Sequence, residues 1–189
     1  MKNNMTNTFL PKGEKIPETK SSYFKLKEGA NKFRIVSDAV TGYEYWTEEK
    51  KPVRLKEKPQ EKPKDIRLND DGSYTIKYFW AFSVLDRESG TVKILELTQT
   101  GVMRQLQEVI NDPEWGDPKE YDVNITGKGE GMERRYTVIP SPHKTLTAEE
   151  KSLVARTEIN IEALFQGEDP FNSSKLAPVE EVKLSDVPF

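Results

Sequence analysis

The feature that most constrains the fold of this chain is a single amphipathic helix that interrupts a series of β-prone segments. The helix is predicted within "TGVMRQLQEVINDPEWGDP", where the period of the apolar residues changes from two to about 3.6. The apolar residues of one helical face are Val102, Met103, Leu106, Val109 and Ile110. Asn111-Asp112-Pro113 ends the helix, because proline cannot continue it. The chain therefore has one internal helix before its last predicted hairpin.

Alternating or near-continuous apolar residues predict strands on both sides of this helix. Four segments come before it: "YFKLKEGANKFRIVS", "VTGYEYWT", "YTIKYFWAFSVLD" and "TVKILELTQ". Two follow it, "EYDVNIT" and "MERRYTVIP", joined by the turn "GKGEG". A short antiparallel set with one helix before its closing strands is the order of a five-stranded OB-type barrel, where the helix lies between strands 3 and 4. We therefore expect a mainly β protein with such a barrel over residues 21–145.

Charge and composition divide the chain into a body and flanking segments. The mean hydropathy of −0.76 is low for a chain packed from end to end. Residues 1–144 hold 25 Lys/Arg against 23 Asp/Glu, whereas residues 145–189 hold 4 against 9. We expect a flexible N-terminal arm at 1–20 and an exposed basic loop at 48–73 inside the barrel domain. A peripheral helical segment at 146–166 and a flexible acidic tail at 167–189 should follow.

Rare residue types exclude several kinds of site. The chain has no cysteine, which excludes disulfides and thiolate metal sites. His143, expected in an exposed loop, is the only histidine, so most zinc and histidine-based catalytic sites are excluded as well. Glu48-Glu49-Lys50 and Glu149-Glu150-Lys151 resemble half of a nuclease site, but such matches arise by chance in a chain this charged. We expect no metal, no cofactor and no catalytic residue. No apolar run suggests a signal peptide or membrane span, so we expect a cytoplasmic protein.

Aromatic and basic residues adjoin each other in "YEYWTEEKKPVRLKEK" and in "KYFW". A single nucleic-acid strand exposes phosphates and flat base faces, so a binder without sequence preference needs cations and stacking rings. On an OB barrel the second and third strands form that face. The predicted DNA-binding residues are Arg34, Tyr43, Tyr45, Trp46, Lys50, Lys51, Arg54, Lys56, Lys58, Lys77, Phe79, Trp80, Arg134 and Arg135.

The aromatic residues of this set also have a structural explanation. Tyr43 and Tyr45 share one face of their strand and Trp46 takes the other, so at least one ring is expected in the core. In "IKYFWAFSV" the face that includes Trp80 is the bulkier one, and Trp80 is either core or binding surface. The other face carries smaller side chains, and Phe79 on that face is therefore a better candidate for contact with a nucleic-acid strand.

The cations have alternatives too. Lys77 lies on the face of its strand that carries the smaller side chains, and it is the better-supported candidate for contact with DNA. The Lys/Pro-rich loop at 48–73, taken alone, predicts a solvated insertion; its position beside an aromatic strand favours binding. Arg134 and Arg135 either extend the binding groove or include an ordinary surface cation.

Three blocks together resemble bacteriophage single-stranded DNA-binding proteins of the OB-fold type. They are "FRIVSDAVTGYEYWTEEKKPVR", "KYFWAFSVLDRESGTVKILELTQ" and "DPEWGDPKEYDVNITGKGEGMERRYTVIPSP", within roughly residues 23–145. The resemblance implies an accessory protein of replication and recombination that coats transient single strands. T-even phage members of this functional class carry a structural zinc, which the absence of cysteine rules out here.

The ending "EEVKLSDVPF" resembles the tip of bacterial single-stranded DNA-binding proteins, which end in acids, a hydrophobic residue, Pro and Phe. Asp186, Val187, Pro188 and Phe189 match, whereas Lys183 interrupts the acids. Phe189 offers a ring for a pocket and a carboxylate for a basic clamp, and Pro188 limits the entropy lost on docking. The tip is therefore predicted to dock replication or recombination proteins.

The sequence as a whole predicts a non-enzymatic protein that binds and protects single-stranded DNA during phage replication, recombination or repair. The sequence is compatible with self-association of the protein on DNA but does not decide it. One alternative is a small metal-dependent nuclease or a subunit that regulates one. The other is an OB module that binds RNA or protein.

Overall fold

The segments predicted on either side of the central helix form one mixed sheet in the computed structural model, which describes residues 21–171. The strands are β1 Tyr23–Phe24, β2 Gly29–Ile35, β3 Val40–Trp46, β4 Pro52–Leu55, β5 Lys77–Asp86, β6 Val92–Leu97, β7 Tyr121–Lys128 and β8 Arg135–His143. The helices are α1 Thr100–Asn111 and α2 Ala148–Arg156, with 3₁₀ turns at Pro118–Glu120, Gly131–Glu133 and Ile161–Gln166. The predictions of a mainly β chain and of one helix before the last hairpin are confirmed. Neither α-helix of this described part has the length and apolar character that a bilayer crossing requires.

Strand β5 is the centre of the sheet, whose order is β1-β6-β5-β2-β7-β8. One edge of β5 pairs with β6, and the other edge is shared by two strands. β2 pairs with its last residues and β3 with its first, from Lys77 to Ala81. β3 also pairs with β4, so β4, β3 and the start of β5 form a three-stranded extension, which we name the ribbon. The sheet as described is not closed, since β8 pairs with β7 alone.

Helix α1 packs between β6 and β8, the two strands that a closed barrel would join. Its Val102, Met103 and Leu106 are buried in the main core with residues of β2, β5, β6 and β7. The Gln105 side chain donates to the carbonyl oxygen of Tyr136 and accepts from the backbone N–H of Val138, both at 3.0 Å. These bonds satisfy backbone groups of β8 as a neighbouring strand would.

A second core lies on the opposite face of β5 and β6. Phe79, Ala81 and Ile94 are covered there by the 3₁₀ turn Ile161–Gln166, which buries Ile161 and Leu164. We name residues 159–171 the strap. The strap packs closely because Gly42 has no side chain: a Cβ there would lie 2.4 Å from the Leu55 carbonyl oxygen and 2.9 Å from Phe165 Cε1.

The strap differs from the predicted C-terminal helix. Thr147 and Glu150 form a capping box that opens α2. However, α2 ends at Arg156 and buries no residue, whereas Ile161 and Leu164, which also belong to the segment predicted as helical, lie on the 3₁₀ turn. The spacing of Ile161 and Leu164 suits a 3₁₀ turn as well as an α-helix, so spacing alone could not separate the two.

Three charged residues connect β2, β7 and the turn after β5. The side chain of Arg34 is 1% exposed, and its Nε donates to Asp122 Oδ1 at 2.8 Å. Arg87 donates to both oxygens of Asp122 and pairs with Glu150 of α2. The positive charges of the two guanidinium groups, and the hydrogen bonds that they donate to Asp122, hold the pKa of that carboxyl group below its usual value despite its burial. We name Arg34, Arg87 and Asp122 the arginine clamp.

Candidate nucleic-acid interface

The ribbon presents the exposed rings of the central strands together with cations. Directly opposed residues of neighbouring strands share a face, and here Tyr43 opposes Tyr78 while Glu44 opposes Lys77. Trp46 lies two residues beyond Glu44 and therefore on the same face. Trp46 is 47% exposed, although its strand β3 pairs with a neighbouring strand on each side. An exposed indole of this kind is available to stack on a nucleobase.

A surface pocket of about 350 Å³ opens beside this indole, and we name it the Trp46 pocket. Its lining residues are Glu44, Trp46, Arg67, Leu68, Asn69, Asp70, Thr75 and Lys77. The backbone N–H of Arg67 donates to the carbonyl oxygen of Trp46 at 2.8 Å, which fastens this part of the loop beside the ring. The pocket thus combines a flat ring with two exposed cations, Arg67 and Lys77.

More rings are exposed near the start of β5. Tyr78 is 42% exposed on the opposite face of the ribbon from Trp46, and its ring centre lies 5.2 Å from that of Tyr43. Tyr74 is also exposed, with Lys62 Nζ 5.9 Å from its ring centre. Tyr74 and Tyr78 were not predicted as site residues. The aromatic run "KYFW" was a signal for Tyr78, but Tyr74 sits in a bridge with Leu68 that only the folded loop creates.

Other predicted rings do not reach the surface. Phe79 is fully buried against Phe165 of the strap, with ring centres 5.9 Å apart, so the prediction that it contacts DNA is wrong. Tyr45 is buried and its hydroxyl donates to Asp65. Trp80 is half-buried against the main core. The cause is that β5 has packed layers on both faces along most of its length, so its lighter face is interior as well.

Several predicted cations are already engaged. Arg34 belongs to the arginine clamp in the interior, so its predicted DNA contact is also wrong. Arg54 is largely buried, with its Nε 2.7 Å from a carboxylate oxygen of Glu96. Lys56 Nζ lies 2.9 Å from Glu162 of the strap and 5.3 Å from the centre of the Phe165 ring.

The remaining predicted cations lie at the surface in two places. Lys50, Lys51, Lys58 and Lys77 are exposed on or beside the ribbon, and Lys51 has Glu49 2.7 Å away. Arg134 and Arg135 are on a different hairpin, that of β7 and β8, where Arg134 donates to the Gly129 carbonyl oxygen. The structure therefore places Trp46 and Lys77 on one face of the ribbon and Tyr43 on the other. Lys50 and Lys51 lie in the turn between β3 and β4, Lys58 lies in the loop after β4, and the two arginines are on a separate turn.

Glu44 carries the one carboxyl group of the ribbon, and sequence reasoning did not select it. Its residue is 5% exposed, and its Oε2 is buried with no hydrogen-bond partner within residues 21–171. Arg54 Nε is 3.9 Å from that oxygen, because the guanidinium is bonded to Glu96 instead. Burial, reinforced by the neighbouring Glu96 carboxyl, raises the pKa of Glu44 to about 7.

The two segments that resemble half of a nuclease site have other roles where the structure describes them. Glu150 completes the capping box of α2 and pairs with Arg87. Glu49 forms an exposed pair with Lys51. Within residues 21–171, no cluster of three or more His, Cys, Asp or Glu residues is placed to hold a metal ion. The predicted docking residues Asp186, Val187, Pro188 and Phe189 lie outside the described residues.

Comparison with known proteins finds a distant relative from Escherichia phage T5, a protein named "Probable ssDNA-binding protein". The two chains are 22% identical over 141 residues, which cover 63% of this chain and 54% of the relative. This chain therefore spans about half the length of the curated relative that it matches. No protein-family model and no solved structure matches the chain.

Proposed function

We propose that this protein binds single-stranded DNA without sequence preference and that the ribbon is its main contact surface. The observation that carries the proposal is the Trp46 pocket, in which a half-exposed indole stands beside Arg67 and Lys77. Stacking of one base on such a ring contributes about 1–3 kcal/mol, and each neutralised phosphate adds a salt-dependent contribution. The name of the distant phage relative agrees with this function.

The strand order supports an OB-type barrel as the scaffold of this surface. The path β6-β5-β2-β7-β8 is the order of the five strands of an OB barrel, and α1 covers the gap between the first and last of them. On this interpretation the loop between β3 and β5 and the turn between β7 and β8 correspond to the two loops with which OB folds hold oligonucleotides. Arg134 and Arg135 would then lengthen the track for the phosphates.

The biological role that we propose follows from this binding. The protein sheathes single strands exposed during phage DNA replication, recombination or repair in the cytoplasm of the bacterial host, and it catalyses no reaction itself. Its tip, Asp186 to Phe189, recruits partner enzymes. The acidic residues of 168–189 compete with DNA for the basic surface, so removal of this tail should tighten binding, most of all at low salt.

Fluorescence titration with oligo-dT at several salt concentrations tests the central proposal. We expect quenching of Trp46 emission and a fall of log affinity with log salt, at a slope of about −0.7 per phosphate contact. The matching duplex and RNA serve as competitors, and a labelled oligonucleotide with Mg²⁺ or Mn²⁺ serves to detect cleavage. Preference for RNA or duplex, metal-dependent cleavage, or the absence of any binding would contradict the proposal.

A further inference from the structure

A row of charged side chains crosses the three strands of the ribbon beneath the Trp46 pocket. Glu44 of β3 stands in the middle, directly opposite Arg54 of β4 on one side and Lys77 of β5 on the other. Glu96 of β6 faces the row through its bond with Arg54. From the loop, Arg67 and Asp70 line the same pocket as Glu44. Glu44 therefore shares its pocket with both cations that the proposed function assigns to phosphates.

Glu44 is poorly supported as an anion in the unbound protein. Its nearest guanidinium, that of Arg54, is committed to Glu96, and the buried Oε2 receives no hydrogen bond from the described residues. A buried carboxylate without hydrogen bonds is far less favourable than a neutral acid. Arg54 and, to a smaller extent, Lys77 both lower the pKa of Glu44, and of these two cations only Lys77 is exposed at the pocket.

A bound phosphate changes that balance. A phosphodiester beside Lys77 and Arg67 places a negative charge in the pocket and shares Lys77, one of the two cations that partly neutralise Glu44. Like charges a few ångströms apart disfavour ionisation of the weaker acid, which here is the carboxyl group. We propose that the Trp46 pocket binds one nucleotide unit of a DNA strand together with one proton, which Glu44 takes up. This inference rests on the proposed function and adds that DNA binding is coupled to the uptake of a proton.

The first test is the pH dependence of oligo-dT affinity at constant ionic strength. Because binding and protonation are linked, the wild-type dissociation constant should rise about fivefold or more from about pH 6 to about pH 8.5. Glu44→Gln should bind at the higher pH about as tightly as the wild type does at the lower one, with little dependence on pH. The matched control is Glu57→Gln, which removes the same charge from an exposed position of the loop and should keep the wild-type pH dependence.

Calorimetry in two buffers of different ionisation enthalpy counts the protons directly. Near neutral pH the wild type should take up a fraction of one proton per bound oligonucleotide, and Glu44→Gln should take up less. A second variant, Glu96→Gln, frees Arg54 to pair with Glu44 and should move the pH midpoint of binding to lower pH. That variant decides the question if Glu44→Gln does not fold.

The outcomes separate the two proposals. Oligo-dT binding whose pH dependence is the same in the wild type, Glu44→Gln and Glu96→Gln would overturn proton uptake by Glu44 and leave the proposed function intact. No binding of oligo-dT at any pH would overturn the proposed function itself.

Discussion

At one end of the sheet a buried aspartate holds two arginines in the interior, whereas at the other end two cations and an indole line an open pocket. In the arginine clamp, Asp122 accepts from Arg34 and Arg87, and the three side chains are largely shielded from water. In the Trp46 pocket, Arg67 and Lys77 are exposed beside a ring. Each region contains two basic residues. In the clamp both guanidinium groups donate hydrogen bonds to one buried carboxylate, whereas Arg67 and Lys77 remain exposed, and this difference decides whether such a residue stabilises the fold or can meet a ligand.

Asp122→Ala should produce the largest effect, and on stability. Removing one partner of a buried pair leaves Arg34 charged and unpaired in the interior, at a cost of about 3–5 kcal/mol in the free energy of unfolding. Urea denaturation measures this loss. Asp38→Ala, which removes the exposed partner of Lys119, is the control and should cost less than about 1 kcal/mol. Equal losses in the two variants would remove the structural role of the clamp.

Trp46→Ala should affect binding and leave stability nearly unchanged. We expect oligo-dT affinity to fall by about 1–3 kcal/mol, since one stacking partner is lost from an exposed position. Affinity is measured by anisotropy, because the variant lacks the reporting indole. Ile139→Ala, at an exposed apolar residue of β8, is the control and should bind like the wild type. If Trp46→Ala instead destabilised the fold and bound normally, the contrast between the two regions would fail.

Glu44→Gln should stabilise the protein above neutral pH. The pKa of Glu44 is raised from 4.5 to about 7 in the folded state, so the stability associated with its proton is complete below about pH 4.5 and is lost as pH rises through 7. Glutamine avoids that loss, and the gain should be on the order of 3 kcal/mol at pH 8 and fall to about 1 kcal/mol near pH 5. Thermal or urea unfolding at the two pH values checks this sign. A variant less stable than the wild type at pH 8 would show that the ionised carboxylate is well supported.

Lys77→Ala should have the smallest effect, and one that depends on salt. The loss of one phosphate contact should lower the magnitude of the salt slope by about 0.7. Lys119→Ala removes a lysine paired with Asp38 away from the ribbon and should leave the slope unchanged. The two variants have the same net charge, so a common shift in slope would indicate a long-range field and not a contact at the pocket.

Much of the fold could be predicted because periodicity reports which side of an element is buried. The apolar face of α1 and the alternation in β7 and β8 each belong to an element with one packed layer. β5 was harder, because the main core covers one of its faces and the strap covers the other. No pattern within "KYFWAFSVLD" reveals that Phe79 meets a phenylalanine 86 residues further along the chain.

The candidate site was predictable only in part for a related reason. Trp46 and Lys77 were selected because they combine the right chemistry with a β-prone segment, and the structure places both at the surface. Arg34 has equally suitable chemistry, and its pairing with a residue 88 positions away is invisible to local sequence reasoning. Phe33 and Ile35 are buried on one face of β2, so alternation places Arg34 on the other face, and only the folded structure shows that this face is covered as well. Glu44 was missed because a burial-dependent pKa has no sequence signature.

The missing side chain at Gly42 has a consequence for how this molecule tolerates mutation. At that position a single hydrogen atom separates the backbone of the ribbon from the edge of a strap phenylalanine. Even alanine would force the two apart, so a saturation library screened for folded protein should return glycine alone at position 42. The ribbon and the strap also meet at Phe79 and Phe165, but position 42 is where the strap leaves no room for any side chain, so the substitution record of one surface is tied there to that of the other.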